Sequence, residues 1–236
     1  MIMLLSYSCS VNFSNNDVKS NSASTETTCS DIDGNIYKTI IIGEQEWMAE
    51  NLRVKHYRNG DPIQKVEGND EWCFMLEGAY CNYDNTIDSS TTYGILYNWY
   101  AVNDSRNISP KGWHVATDAE WQQLVDFLGG DSIAGNLLKA RKSDSLGVPI
   151  WGDDGATNES GFSALPLGNR PGCSFLGGAV IGRSFDAYFW TATARNNSPT
   201  FAWGRWLIFN NNTSVVSRAY HQKNYGFSIR CIKDKI

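Results

Sequence analysis

Two stretches of this chain carry side chains whose types and spacing could do chemistry. The first is Trp151-Gly152-Asp153-Asp154-Gly155, followed by Asn158 and Glu159. Carboxylates and amide oxygens are the hard donors that Ca²⁺ selects, so Asp153, Asp154, Asn158 and Glu159 form a candidate metal set. The spacing is not that of an EF-hand loop, and solvated acidic turns are the commoner use of such a sequence. No cofactor is therefore expected, with Ca²⁺ the one candidate considered. The second stretch holds Trp203, Arg205, Trp206, Arg218 and Tyr220, with His221 alongside. Rings with guanidinium donors beside them can stack a sugar or a peptide and fix it by hydrogen bonds. Strand alternation puts Trp203 and Arg205 on one face and Trp206 on the other, and one of these faces must be core. The competing reading is a sheet surface decorated with cation–π pairs.

Catalysis has little to stand on. The three histidines, His56, His114 and His221, are scattered. His114, beside Trp113 at a strand end, reads as a core histidine with its partners satisfied. No nucleophile elbow, phosphate loop or HExxH motif is present. The expectation is a non-catalytic protein. An enzyme with a pocket in the central loop, using Asp153, Asp154 or Glu159 as acid, base or metal ligand, is the alternative. A third is a structural subunit of a surface assembly.

The elements that must position these residues are partly legible. PKGWHVATDAEWQQLVDFLGG, residues 110–130, reads as a strand end followed by a helix over about 118–128. Thr117 and Glu120 have the capping-box spacing, and Trp121, Leu124, Val125 and Leu128 share one helical face. Gly129 supplies the stop. Upstream, the Asp33-Gly34 turn, a strand around Tyr37–Ile42, a turn at Gly43 and a strand through Trp47 make a hairpin. Tyr93–Val102 reads as a buried helix, with a buried strand as its rival, and Ile133–Lys142 as a further helix. Downstream, Tyr188–Thr193 reads as a strand. Phe201–Phe209 and Ser214–Tyr220 flank Asn210-Asn211-Asn212-Thr213, a good hairpin turn because Asn tolerates left-handed backbone. Phe227, Ile229 and Cys231 alternate with Ser228 and Arg230, which predicts a last strand with one buried face.

Bulk properties narrow the class. The chain has 236 residues, 42% hydrophobic and 19% charged, enough apolar material for one substantial core. Nine Trp and eleven Tyr point to a ring-rich core or to ligand platforms. A net charge of −5 without a Lys/Arg-rich run argues against nucleic-acid binding. MIMLLSYSCS resembles the tail of a lipoprotein signal, with Cys9 as the lipidated residue after cleavage, although Leu5 stands four residues before Cys9 rather than three. Residues 10–30, rich in Ser, Asn and Thr, read as a flexible tether, and residues 31–236 as a single domain. Six cysteines occur. With Cys9 set aside, Cys73–Cys81 would close a small loop and Cys29–Cys231 would tie the two ends, leaving Cys173 odd; the alternative is that all are reduced and buried.

The segments IGEQEWMAENLR, WCFMLEGAYC, YGILYNWYAV, GWHVATDAEWQQLVDFLGG, GFSALPLGNRPG, FWTATA and YGFSIRCIKD, in this order, resemble the Fibrobacter succinogenes major paralogous domain. The resemblance implies a C-type-lectin-like α+β fold, distantly similar to formylglycine-generating enzymes. Two to three helices would pack on small antiparallel sheets with a long loop region, and the termini would meet on one sheet. It also implies an exported bacterial protein, often an outer-membrane or cell-surface lipoprotein. The Glu-Pro-Asn and Trp-Asn-Asp signatures of calcium-dependent sugar binding are missing, as is the catalytic cysteine pair of the formylglycine-generating enzymes. What is expected is a lipid-anchored binding or adhesion module for a glycan, peptide or protein, attached to the membrane through its anchor alone.

Overall fold

The computed structural model describes residues 27–82, 93–141, 150–152, 155–173, 186–208 and 214–235. The lipidation candidate Cys9, most of the expected tether, Asp153, Asp154 and the 210–213 turn lie outside the described residues.

Small sheets dominate, with a few short helices between them, so the architecture is α+β with β in the majority. The largest sheet is built from both ends of the chain. Strands β1 (Thr27–Ser30), β2 (Ile36–Ile42) and β3 (Gln45–Met48) come from the beginning, and β11 (Cys231–Lys233) from the end. The order is β1-β2-β3-β11-β7, with β7 spanning Trp113–Val115, and all pairings are antiparallel. Gly43, at φ 61°, makes the turn between β2 and β3 that a residue with a side chain would adopt only with strain.

The expected tether is shorter at its end than the sequence suggested. Thr27–Ser30 is an edge strand on β2, in register Thr27 to Thr39 and Ser30 to Ile36. Its β-branched Thr27 exchanges a hydroxyl hydrogen bond of 2.7 Å with Thr39.

A second sheet has order β4-β5-β6, from Gln64–Lys65, Ala79–Asn82 and Ile95–Tyr97. Its β4/β5 pair is parallel, so the small sheets are not all antiparallel. The third sheet, β8 (Ala187–Ala194), β9 (Phe201–Leu207) and β10 (Val216–Gln222), is antiparallel in the order β10-β9-β8.

The helices are α1 (Asn69–Cys73), α2 (Trp99–Val102), α3 (Asp118–Phe127) and α4 (Ala134–Leu138). Among the described residues none is long and apolar enough to cross a membrane. Helix α3 carries the expected capping box: Glu120 N–H donates to Thr117 Oγ1 at 3.2 Å, and Thr117 N–H donates to Glu120 Oε2 at 2.8 Å. Its apolar face, Trp121, Leu124 and Val125, is fully buried. There Trp121 meets Trp47, Phe162 and Phe189 with ring centroids 5.2, 5.4 and 5.2 Å away, the edge-to-face and tilted geometry that aromatic quadrupoles favour.

Three predicted elements differ. The helix expected over Ile133–Lys142 is only Ala134–Leu138, because Lys139 turns extended and bridges to Ala164. Tyr93–Val102 is neither one helix nor one strand. Asn98 divides it, because its Oδ1 accepts from Ala79 N–H at 2.9 Å and from Ala101 N–H at 3.1 Å, capping α2 right after β6. Near the C-terminus, residues 226–232 are buried on both faces rather than one. The reason is Arg230, which reads as polar yet has no exposure at all. Its Nε donates to Asn51 Oδ1 at 2.7 Å, Nη1 to Met48 O at 2.9 Å and Phe162 O at 2.6 Å, and Nη2 to Ser163 O at 3.0 Å. Burial pushes its pKa below the ordinary guanidinium range.

Arg170 works the same way, donating to the carbonyls of Val66, Glu67 and Gly68 at 2.6, 2.8 and 3.1 Å while stacking 4.3 Å over Trp72. Each of these arginines staples loops to the sheets through carbonyl oxygens.

That staple decides the disulfide. By holding the loop ahead of Cys173 against residues 66–68, Arg170 brings Cys173 beside Cys73, and the two are bonded with their Cα atoms 4.7 Å apart. The expected Cys73–Cys81 bridge is not formed. Cys81 is unpaired and buried on β5, in a cluster with Val66, Trp72, Ala79 and Leu96. Cys29–Cys231 is not formed either, and both thiols are free. Cys29 is on β1 and Cys231 on β11, with β2 and β3 between them. Three strand spacings of about 4.8 Å exceed the roughly 7 Å that a disulfide can bridge.

Candidate functional site

The hairpin of β9 and β10 sorts the aromatic and basic residues by its register. Trp203 lies opposite Tyr220 and Arg205 opposite Arg218, so all four share one face. Trp206, opposite Ser217, is on the other face. The first face is covered by the start of α3 at one end and open at the other.

At the covered end Arg205 is buried, and its Nη2 pairs with Asp118 Oδ1 at 2.8 Å. Nη1 and Nη2 also donate to Gln122 Oε1 at 3.0 and 3.1 Å. Arg218 reaches the same carboxylate from the solvent side, Nη2 to Oδ2 at 2.8 Å. Burial opposes ionisation of Asp118, but the hydrogen bond from Arg218 and the charge of Arg205 outweigh it, and the carboxyl ends below the usual range. Asp118 is the first residue of α3, where the helix dipole adds to the stabilisation of a negative charge.

At the open end the groups form a ladder. The Arg218 guanidinium lies 3.6 Å over the Trp203 ring. Trp203 meets Tyr220 edge to face at 5.7 Å, and Tyr220 carries Arg195 at 3.7 Å on its ring. Tyr220 is 43% exposed. Three arginines outnumber the carboxylates, Asp118 beside Arg205 and Arg218 and Asp131 within electrostatic reach of Arg205, and leave this face net positive. Flat rings with planar, multi-donor cations beside them suit a flat ligand bearing negative charge.

The structure thus brings together Trp203, Arg218 and Tyr220, retains Arg205 as the buried support under them, and separates Trp206. Trp206 stacks on Tyr188, with centroids 6.1 Å apart and planes 18° apart, next to His221 at 5.7 Å. Arg195 and Asp118 complete the face and were missed. Arg195 sits in a turn at the end of β8, and only the three-stranded pairing carries it to Tyr220; no local spacing signals that.

Of the acidic stretch, Asp153 and Asp154 lie outside the described residues, and Asn158 and Glu159 are described. Asn158, at φ 54°, uses its amide on Ser163, accepting from its N–H and donating to its Oγ, both at 2.9 Å. Glu159 is exposed on the same turn. Among the described residues no group of three or more His, Cys, Asp or Glu side chains converges on a metal position.

His114 is not a core histidine. It is half-buried and bridges two carboxylates, Nε2 to Glu120 Oε1 at 2.9 Å and Nδ1 to Asp234 Oδ1 at 2.6 Å, joining the start of α3 to the end of the chain. The bond to Glu120 holds its pKa above the ordinary histidine value against the opposing effect of burial, with Asp234 assisting.

The sequence profile of the Fibrobacter succinogenes major domain matches residues 40–233. The chain belongs to that family. The matched span runs from within β2 to the end of β11 and so takes in the second and third sheets whole and the first without β1 and the start of β2. Read on the structure, the motifs in this Fibrobacter succinogenes major domain are mostly structural. Asn51 of AENLR and Arg230 of GFSIRC bind each other, Trp47 and Trp121 share one aromatic cluster, and Arg170 of LGNRPG is the loop staple. The ladder of Arg195, Tyr220, Trp203 and Arg218 lies outside those motifs. No curated protein and no solved structure matches the chain.

Proposed function

We propose that this chain is an exported, lipid-anchored surface module, related in fold to the C-type-lectin-like domains, that binds without catalysis through the open face of β9 and β10. The ligand class the face fits best is an acidic glycan. Sugar rings present flat C–H faces to Trp203 and Tyr220, and their carboxylates find Arg195 and Arg218. The observation that carries this reading is the ladder itself. Two guanidinium groups are laid on two neighbouring aromatic rings, one of them held in place by a carboxylate on a separate element. Such preorganisation lowers the ordering cost of binding. Export is supported by the Cys73–Cys173 bond, since structural disulfides persist in oxidising compartments.

The test is retention of the full chain on immobilised polygalacturonate and on its neutral, methyl-esterified counterpart. The acidic polymer is expected to retain the protein, less so as salt is raised, because exposed charge pairs are screened over about a nanometre. Trp203→Ala and Tyr220→Ala should each weaken retention about tenfold, given that stacked aromatic contacts of this kind are worth roughly 0.5–1.5 kcal/mol beyond their burial. Equal retention of the wild type and both variants would remove the face from consideration.

A further inference from the structure

A cavity of about 260 Å³ opens between the turn that follows β1 and the loop that precedes β7, on other elements than the hairpin face. Its lining combines apolar residues, including Ile32 and Ile108, with the polar Arg58, Ser109, Lys111 and Asp31.

The charged part of the lining is net cationic and incompletely matched. Arg58 is fixed in place because its Nε donates to Ser109 O at 3.0 Å and its Nη2 to Pro110 O and Trp113 O, both at 2.8 Å. These partners are neutral carbonyls. Among the described residues Arg58 and Lys111 have no ion pair of 4.0 Å or less. Asp31 does not supply one. Its Oδ1 accepts from the N–H groups of Asp33 and Asn35, and its Oδ2 from Asn35 Nδ2 and the Tyr37 hydroxyl. Ser109 is 2% exposed, and its hydroxyl is turned inward to the buried Cys231 thiol rather than being spare. The loop bearing it is rigid: Ser109 N–H donates to Asn107 Oδ1 at 2.8 Å, and Arg58 N–H to Asn107 O at 2.7 Å.

We propose that this cavity binds a small carboxylic acid, its carboxylate held by Arg58 and Lys111 and its hydrocarbon part lying against Ile32 and Ile108. A carboxylate supplies what these polar residues lack: one negative charge against a net charge of one positive, and acceptors for the free Nη1 edge of a guanidinium and for an ammonium. The preset guanidinium reduces the ordering cost, and the small volume excludes anything much larger than a branched short-chain acid.

The experiment is calorimetric titration of the full chain with 4-methylpentanoate and with 4-methylpentanamide, which has nearly the same shape and no charge. The acid is expected to bind at one site per chain and the amide at least about tenfold more weakly, the loss of one charge-assisted contact. Lys111→Met and Ile32→Ala, neither of which removes a contact that holds the loop, should each weaken the acid by about three- to tenfold. Tyr220→Ala, in the hairpin face, should leave it unchanged, which separates this site from the proposed glycan face. Equal affinity for acid and amide, no saturable binding, or binding insensitive to both cavity variants would overturn the proposal.

Discussion

Arg205 and Arg218 face each other across β9 and β10 and share one carboxylate, that of Asp118. Like charges directly opposite on neighbouring strands repel, so without Asp118 this register would be penalised. The carboxylate also ties the hairpin to the first turn of α3 and fixes the guanidinium that lies on Trp203. Support and candidate binding surface are one network.

Removing Asp118 should therefore do two things at once. Asp118→Ala leaves Arg205 buried without its counter-charge, which is expected to cost about 3–5 kcal/mol in urea denaturation followed by tryptophan fluorescence. Replacing Arg205 by Met in the same chain should recover part of that loss. A single variant within about 1 kcal/mol of wild type would show that the pairing contributes little.

Arg230 makes a sharper test of the buried staples. Arg230→Lys retains the charge but loses the planar fork that reaches Asn51, Met48, Phe162 and Ser163 together. Several buried acceptors then lack donors, and a loss above about 3 kcal/mol is expected in the same assay. Near-wild-type stability would mean that water or a neighbour replaces the fork.

The His114 bridge predicts a pH signature. Its folded pKa lies above the ordinary histidine value, so the stabilisation it gives is complete below about pH 6.5 and fades as the pH rises through the folded value. Glu120 behaves oppositely. Burial works against its charge, but the hydrogen bonds from His114 and Thr117 prevail and hold it down at about 2. Its contribution is present above about pH 4.5 and is lost as the pH falls towards 2. The stability difference between wild type and His114→Ala should thus be larger at pH 6 than at pH 9. It should stay below about 1 kcal/mol, because the ring is partly solvated. A difference that grows with pH would contradict the bridge.

The Cys73–Cys173 bond closes a loop of 100 residues. Chain entropy alone assigns such a cross-link about 4–5 kcal/mol, so reduction should lower the denaturation midpoint markedly. Peptide mapping under non-reducing conditions should recover residues 73 and 173 together. Cys81 and Cys231 should react with iodoacetamide only after unfolding, since both are buried and burial raises both thiol pKa values, that of Cys231 to about 12. A mapped Cys73–Cys81 peptide would refute the arrangement.

Where the physics is local, the sequence is a sufficient guide. Thr117, Glu120 and Gly129 settle α3 within a few residues of themselves, and the Asp33-Gly34 and Gly43 turns place the first hairpin, because caps and left-handed glycines act over one turn of chain. Strand alternation correctly separates Trp203 from Trp206. It cannot say which face is open, since that depends on where α3 lies.

Tertiary structure alone decided the rest. Cys73 joins Cys173 rather than Cys81 because Arg170, far away along the chain, clamps one loop onto another, and no spacing between cysteines encodes a clamp made through backbone carbonyls. Arg205 and Arg230 look like surface residues in the sequence, yet they are buried, because Asp118 in one case and Asn51 with three carbonyls in the other satisfy them from remote segments. Arg195 reaches Tyr220 only once three strands are paired. Charge and hydrogen-bond satisfaction are sums over all neighbours in space, and a chain read in one dimension shows only the neighbours in sequence.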